Sequence, residues 1–169
     1  MYDVHLTGAF FPPQTDAELR DNTIGELLRE VASRYRKATA LVDIALDGTV
    51  GREWNYRELL ETSERLAGVL ASRFETGESV VVWAPNIPEW LFLEYACAFS
   101  GLVLVTANPS FQEKELRYVL EQSGAVALFL VDGFRGNAMA DIAQRAIDGN
   151  RQIREVINLE DETKSNVET

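Results

Sequence analysis

The chain has 169 residues, of which 46% are hydrophobic and 25% charged, with a net charge of −11. That size and balance fit one globular domain, able to bury roughly 70% of its unfolded surface, and exclude wholesale disorder. The acidic excess excludes a nucleic-acid backbone as partner, since there are no surplus cations to release counterions. No run of about 18 apolar residues predicts a membrane span, and the N-terminus lacks the basic-then-apolar order of a signal peptide. Cys97 is the one cysteine; it rules out an intrachain disulfide and fits a reducing cytoplasm, the expected location.

Residues 1–22, with Phe10, Phe11, Pro12 and Pro13, show no periodicity and read as an extended arm. From Thr23, Ile24, Leu27, Leu28 and Val31 share one face of a helix. Two β-like runs, ALVDIAL and VGREWN, follow, joined by Asp47-Gly48, a hairpin signal. Residues 56–73 are helical again. The chain then alternates. Short apolar runs at 79–84 (SVVVWA), 102–107 (LVLVTA) and 126–131 (VALFLV) read as strands buried on both faces of a parallel sheet, with a weaker fourth strand near 154–157. Helical patterns at 87–100, 112–123 and about 134–148 separate them. The fold class is α/β: a mainly parallel sheet with helices on both faces, preceded by a helix and a hairpin. Residues 160–169 are polar and read as a disordered tail.

Four helix starts match a capping box: Thr23 with Glu26, Asn55 with Glu58, Asn86 with Glu89, and Ser110 with Glu113. Gly77, Gly101, Gly124 and Gly149 fall past helix ends, where a left-handed cap is needed, and Pro88 fits a first turn. The corner W-A-P-N-I-P-E-W (83–90) joins a strand to a helix, a place where many α/β folds hold an anion. If Asn86 and Glu89 occupy its free amides, it is a capped corner and no anion site. His5 has no partner at metal-ligand spacing. Cys97, inside an apolar helix, reads as an inert thiol. Gly133-Phe-Arg-Gly136 matches neither phosphate-binding glycine pattern. Trp83, Trp90, Phe92, Tyr95 and Phe99 read as core rather than as an aromatic box. Lys37, Lys114 and Lys164 sit in polar surroundings, unlike a tuned catalytic lysine. The residues predict a fold and no catalytic, cofactor-binding or metal-binding position.

Three stretches together carry a resemblance: W-N-Y-R-E-L (54–59), G-E-S-V-V-V-W-A-P-N-I-P-E-W (77–90) and G-L-V-L-V-T-A-N-P-S-F-Q-E-K-E-L-R-Y-V-L (101–120). In this order they closely resemble the N-terminal part of the AMP-forming acyl-CoA synthetases, relatives of luciferase and of nonribosomal peptide synthetase adenylation domains. The likeness runs from about Thr23 to Leu159, which makes 23–159 the N-terminal subdomain of such an enzyme. It implies a two-step ligase reaction in a full-length parent. A small carboxylic acid, fatty or aryl, attacks ATP with Mg to give an acyl-adenylate, and CoA then displaces AMP. The family's phosphate loop, similar to T-S-G-T-T-G-x-P-K-G, has no counterpart here, so no family catalytic residue carries over and the fragment is expected to be inactive. Exposed apolar surface and an open strand edge imply a possible homodimer. Two alternatives remain: a stand-alone binding or regulatory module derived from the subdomain, and an unrelated doubly wound domain such as a phospho-receiver, against which Asp132 stands alone after its strand.

Overall fold

The computed structural model describes residues 19–45 and 47–160. Most of the arm at 1–22, with His5, lies outside the described residues, as do Lys164 and nearly all of the tail. Eleven elements follow within the described chain: α1 (Ile24–Arg34), β1 (Thr39–Ile44), β2 (Val50–Asn55), α2 (Tyr56–Ala71), β3 (Ser79–Trp83), α3 (Pro88–Ser100), β4 (Val103–Thr106), α4 (Glu113–Ser123), β5 (Ala127–Leu130), α5 (Met139–Ile147) and β6 (Glu155–Asn158). The strands β3 to β6 pair in parallel in the order β4-β3-β5-β6, while β1 and β2 form a separate antiparallel pair. The turn between β1 and β2 is closed at Gly48, whose φ of +85° an L side chain rarely adopts.

The hydrophobic period dictates what is inside. Each residue of β5, and Val80 to Trp83 of β3, is buried, because both central strands have helices on both faces. Strand β4 departs from the expected double burial: Val103 is 49% exposed although its sequence is as apolar as the others. It lies at the sheet edge, and position there overrides composition. Helices α2 and α3 pack on each other, as do α4 and α5. Since β3 leads to β4 on one side and β4 leads back past β3 to β5, right-handed crossovers put these helix pairs on opposite faces. A second apolar cluster of Leu28, Trp54, Leu59 and Phe92 joins α1 and β2 to α2 and α3. There, Trp54 meets Phe92 edge-on at 5.4 Å.

Several local expectations are corrected. The boxes at Thr23 and Asn55 form, with reciprocal bonds to Glu26 and Glu58. The box at Asn86 does not: Ile87 is the N-cap, extended at φ −124° and ψ 157°, with no side-chain cap bond. Ile87 precedes Pro88, which clashes with a helical predecessor and holds it extended. At the next helix, Asn108 Oδ1 accepts the Ser110 N–H at 2.9 Å and Asn108 O accepts the Phe111 N–H at 2.9 Å. That turn delays the start, so Glu115 takes the Gln112 N–H at 3.1 Å, in place of a box at Ser110 and Glu113. Gly101 and Gly124 are the left-handed caps expected, whereas Gly77 lies in the turn before β3, well past the end of α2. Helix α5 starts at Met139 rather than near 134, because Phe134 and Asn137 bridge to each other first. Of the five aromatics expected in the core, Trp83 and Phe92 are buried, while Trp90, Tyr95 and Phe99 are partly so.

Candidate functional site

The strand order changes direction between β3 and β5, and the crevice beyond their carboxyl ends is where open α/β sheets bind ligands. The corner after β3 forms one wall. The indole N–H of Trp83 donates to Asn108 O at 2.8 Å, tying the corner to the loop after β4. That loop is held in turn by Asn137, whose amide donates to Pro109 O at 3.1 Å and accepts from Gln112 Nε2 at 2.7 Å. The other wall is the segment 131–137. Here Phe134 and Asn137 exchange both backbone bonds, at 3.0 and 2.9 Å, with Arg135 and Gly136 at positive φ. The amides of Phe134 and Asn137 are consumed inside the turn, so this glycine-flanked segment offers little to a phosphate.

The crevice is poor in reactive groups. Asp132 is exposed and accepts from Asn158 Nδ2 at 2.7 Å. Among the described residues no cluster of three His, Cys, Asp or Glu could hold a metal ion. Lys37 and Lys114 are exposed. Asn86 is exposed and leaves the first turn of α3 without a side-chain cap. The first-turn amides of α3 are thus not taken up by Asn86, yet an open helix start alone is no site. Cys97 is buried, and burial pushes its thiol up to about 12. It is an inert group, as its apolar helix predicts. Of the groups Mg-ATP needs, the crevice shows one carboxylate, Asp132, already engaged by an amide, and one cation, Arg135, which lies over the Phe134 ring.

Two further hollows lie among the described residues; the smaller borders the 83–90 corner that the sequence singled out, and the larger had no signal in the sequence. A cavity of about 350 Å³ separates β1 from the start of α3 and includes Asn86 and Trp90. A larger groove of about 650 Å³ runs between α2, α3 and the β5–β6 side of the sheet. It exists because α2 and α3 pack on each other and leave the β6 end of that face uncovered. Strand β6 is nonetheless held in place at its start. Arg154 donates to Glu78 at 2.5 Å and Arg73 pairs with Glu155 at 3.0 Å. The Arg154 guanidinium holds the Glu78 carboxyl below the usual carboxylate range.

Known proteins place this architecture. Residues 28–168 match the family described as AMP-binding enzyme. YngI of Bacillus subtilis (strain 168), whose name assigns it to the acyl-CoA synthetases, is 37% identical over 132 residues, covering 78% of this chain and 23% of that protein. The rat mitochondrial medium-chain acyl-CoA ligase ACSF2 is 31% identical over 128 residues, 75% of this chain and 20% of its own length. The chain thus spans about a fifth of the length of the curated relatives it matches. Among solved structures, the N-terminal domain of FACL13 from Mycobacterium tuberculosis superposes with a TM-score of 0.71 at 22% identity, covering 85% of this chain and 35% of that one. A fatty acyl CoA synthetase of the same organism gives 0.70 at 22% identity, with 84% and 27% covered. Those two likenesses carry the fold, and the relatives and the family match carry the descent. Among the described residues no helix is long and apolar enough to cross a membrane. The chain belongs to the AMP-binding enzyme family, is similar to acyl-CoA ligases, and has the α/β fold of the N-terminal domain of FACL13.

Proposed function

We propose that this chain is the N-terminal segment of an AMP-forming acid–CoA ligase and that it is inactive by itself. In the whole enzyme a fatty or aryl carboxylate would displace pyrophosphate from ATP with Mg, giving an acyl-adenylate from which CoA releases AMP. The cytoplasm, suited to a lone buried thiol, is the proposed location. One observation supports the reading: the family match runs across 28–168, while the chain spans about a fifth of the length of relatives whose names assign them to the acyl-CoA synthetases and ligases. The crevice, the uncovered β6 end of the sheet and the open groove are the surfaces that the rest of a longer enzyme would complete. The role left to these residues is architectural. They set the strand ends at the switch point and rigidify the corner through Trp83 and Asn137.

The test is carboxylate-dependent exchange of labelled pyrophosphate into ATP, with calorimetric titration of ATP and Mg²⁺. Neither exchange nor saturable binding is expected. Exchange above background, in a preparation free of longer enzyme, would mean the catalytic groups are present and misread.

A further inference from the structure

The sequence holds three Asp-Gly pairs, at 47–48, 132–133 and 148–149. In such a pair the glycine nitrogen can attack the preceding side chain, because glycine carries no Cβ to block the approach. The fold treats the three pairs differently. Asp47 Oδ1 accepts the Thr49 N–H at 2.9 Å, and the Gly48 N–H donates to Ala45 O at 2.9 Å. Asp132 Oδ1 accepts from Asn158 Nδ2 at 2.7 Å, and its carbonyl takes the Ala140 N–H at 3.1 Å. Asp148 and Gly149 are both exposed. Among the described residues no hydrogen bond or ion pair holds the Asp148 carboxylate, and the Gly149 N–H donates to nothing.

What does hold this pair is one side chain of the neighbouring helix. Arg117 of α4 donates to Asp148 O at 2.9 Å and to Arg145 O, and is steadied by Glu113 at 3.1 Å. A five-membered imide between Asp148 and Gly149 needs the Gly149 nitrogen nearly eclipsed with Cβ of Asp148. At φ −56° and ψ 124° that nitrogen is turned away. The Asp148 oxygen and the Gly149 nitrogen share one planar peptide group, so neither rotates without the other. Ring closure must therefore break the bond from Arg117, which is charge-assisted and stronger than a neutral one.

We propose that Asp148-Gly149 is the bond of this chain that isomerises to isoaspartate in the folded state, with Arg117 as the side chain that sets the rate. The Gly149 nitrogen bonds to Asp148 Cγ as its proton leaves and the carboxylic acid loses water, giving the imide. Water then adds to the Asp148 carbonyl carbon, the bond from that carbon to nitrogen breaks, and the main chain continues through Cγ. One water leaves and one enters, no electrons are transferred, and the mass is unchanged. The freed α-carboxylate forms within reach of the Arg117 guanidinium, and pairing with it favours this ring opening over the one that restores aspartate. The main chain gains a methylene between α5 and β6, just ahead of Arg154, which anchors the edge strand to Glu78. This chemistry is independent of any adenylation.

The experiment incubates the 169-residue chain, folded and in denaturant, in mildly acidic buffer and digests samples over time. Isoaspartate in each Asp-Gly peptide is read by an L-isoaspartyl methyltransferase and by electron-transfer fragmentation. In denaturant the three pairs should convert at similar rates. In the folded chain Asp148 should convert first, with Asp47 and Asp132 behind. Arg117→Gln should accelerate Asp148 about tenfold, through loss of a bond to a charged donor, and leave the other two unchanged. Asp148→Glu, which needs a larger ring, should silence that peptide. Circular dichroism establishes that each variant is folded; should Arg117→Gln not fold, the folded and denatured parent decide between them. Asp47 or Asp132 leading in the folded chain, or Asp148 unconverted there once the denatured chain has reacted, would overturn the proposal. So would an Arg117→Gln variant in which Asp148 keeps its parental rate, or in which all three pairs accelerate alike, the sign of general loosening.

Discussion

At the scale of single residues, two positions separate what a local pattern reveals from what it hides. Cys97 sits in an apolar helical run, and a run of that kind is buried whatever it packs against, so its inertness was legible. Its thiol is held up to about 12, against an ordinary 9.0. The native state therefore binds a proton that the unfolded chain releases over that range, and this contribution to stability is whole below about pH 9 and declines as pH rises toward 12. At pH 8 a disulfide reagent should modify Cys97 only at the rate of unfolding, and stoichiometrically in denaturant; rapid native-state labelling would contradict the burial. Gly25 was silent in the sequence, because what constrains it is Phe99, far along the chain. A Cβ on Gly25 would lie 2.7 Å from the Phe99 ring, which is itself under the Arg29 guanidinium at 4.6 Å. Helix propensity favours alanine by about 1 kcal/mol, but overpacking costs about 1–3 kcal/mol. Gly25→Ala should therefore lower the chemical-denaturation midpoint, and adding Phe99→Leu should recover part of the loss. A Gly25→Ala variant more stable than the parent would show that the ring yields freely.

At the scale of elements, nearly every helix and strand was legible, because periods of 3.6 and 2 are written in the apolar residues themselves. The helix starts were less so. Four sites share the same spacing of a polar residue and Glu, yet only those at Thr23 and Asn55 close as boxes. At Asn86 the decision belongs to Pro88, which forces Ile87 into the extended cap position and moves the helix one residue beyond the box. At Ser110 it belongs to Asn108, whose side chain builds a turn first. Neither competitor is part of the capping motif, so the motif alone cannot see it. Asn55 Oδ1 accepts the Glu58 N–H at 3.0 Å, and Glu58 accepts the Asn55 N–H at 2.9 Å. Denaturant melts of three variants follow from this. Thr23→Ala and Asn55→Ala should each cost about 0.5–2 kcal/mol, whereas Asn86→Ala should stay within about 0.5 kcal/mol of the parent. Equal losses at all three would restore the cap at the corner.

At the scale of the whole molecule, the alternation of strands and helices announced a parallel sheet, but strand order cannot be read from alternation. LVLVTA and VALFLV are equally apolar, yet the first is an edge and the second is central. The candidate site was less legible still. The crevice follows from the crossover to β5, and the groove from how far α2 and α3 extend over the sheet, and both are properties of packing. The edge position of β4 has a consequence for how copies of the chain meet. Exposed edges in stable monomers carry charge, proline or a bulge. From Leu102 to Ala107 there is no charge and no proline, the pairing with β3 runs without a bulge, and Val103 is 49% exposed. Strand β6, at the opposite end of the sheet, begins with Glu155 directly after Arg154 and so carries charge at its start. Self-association through β4 is thus the expected behaviour of the isolated chain, most simply as a two-fold dimer. The net charge of −11 opposes it, and that repulsion is screened over about 10 Å at 0.1 M salt. Sedimentation equilibrium near about 100 µM, where exposed edges drive association, should show a dimer fraction that grows as salt is raised. Val103→Lys should return the chain to monomer at every salt concentration without disturbing its fold. A monomeric parent under those conditions, or a lysine variant that associates equally well, would show that β4 is not the adhesive edge.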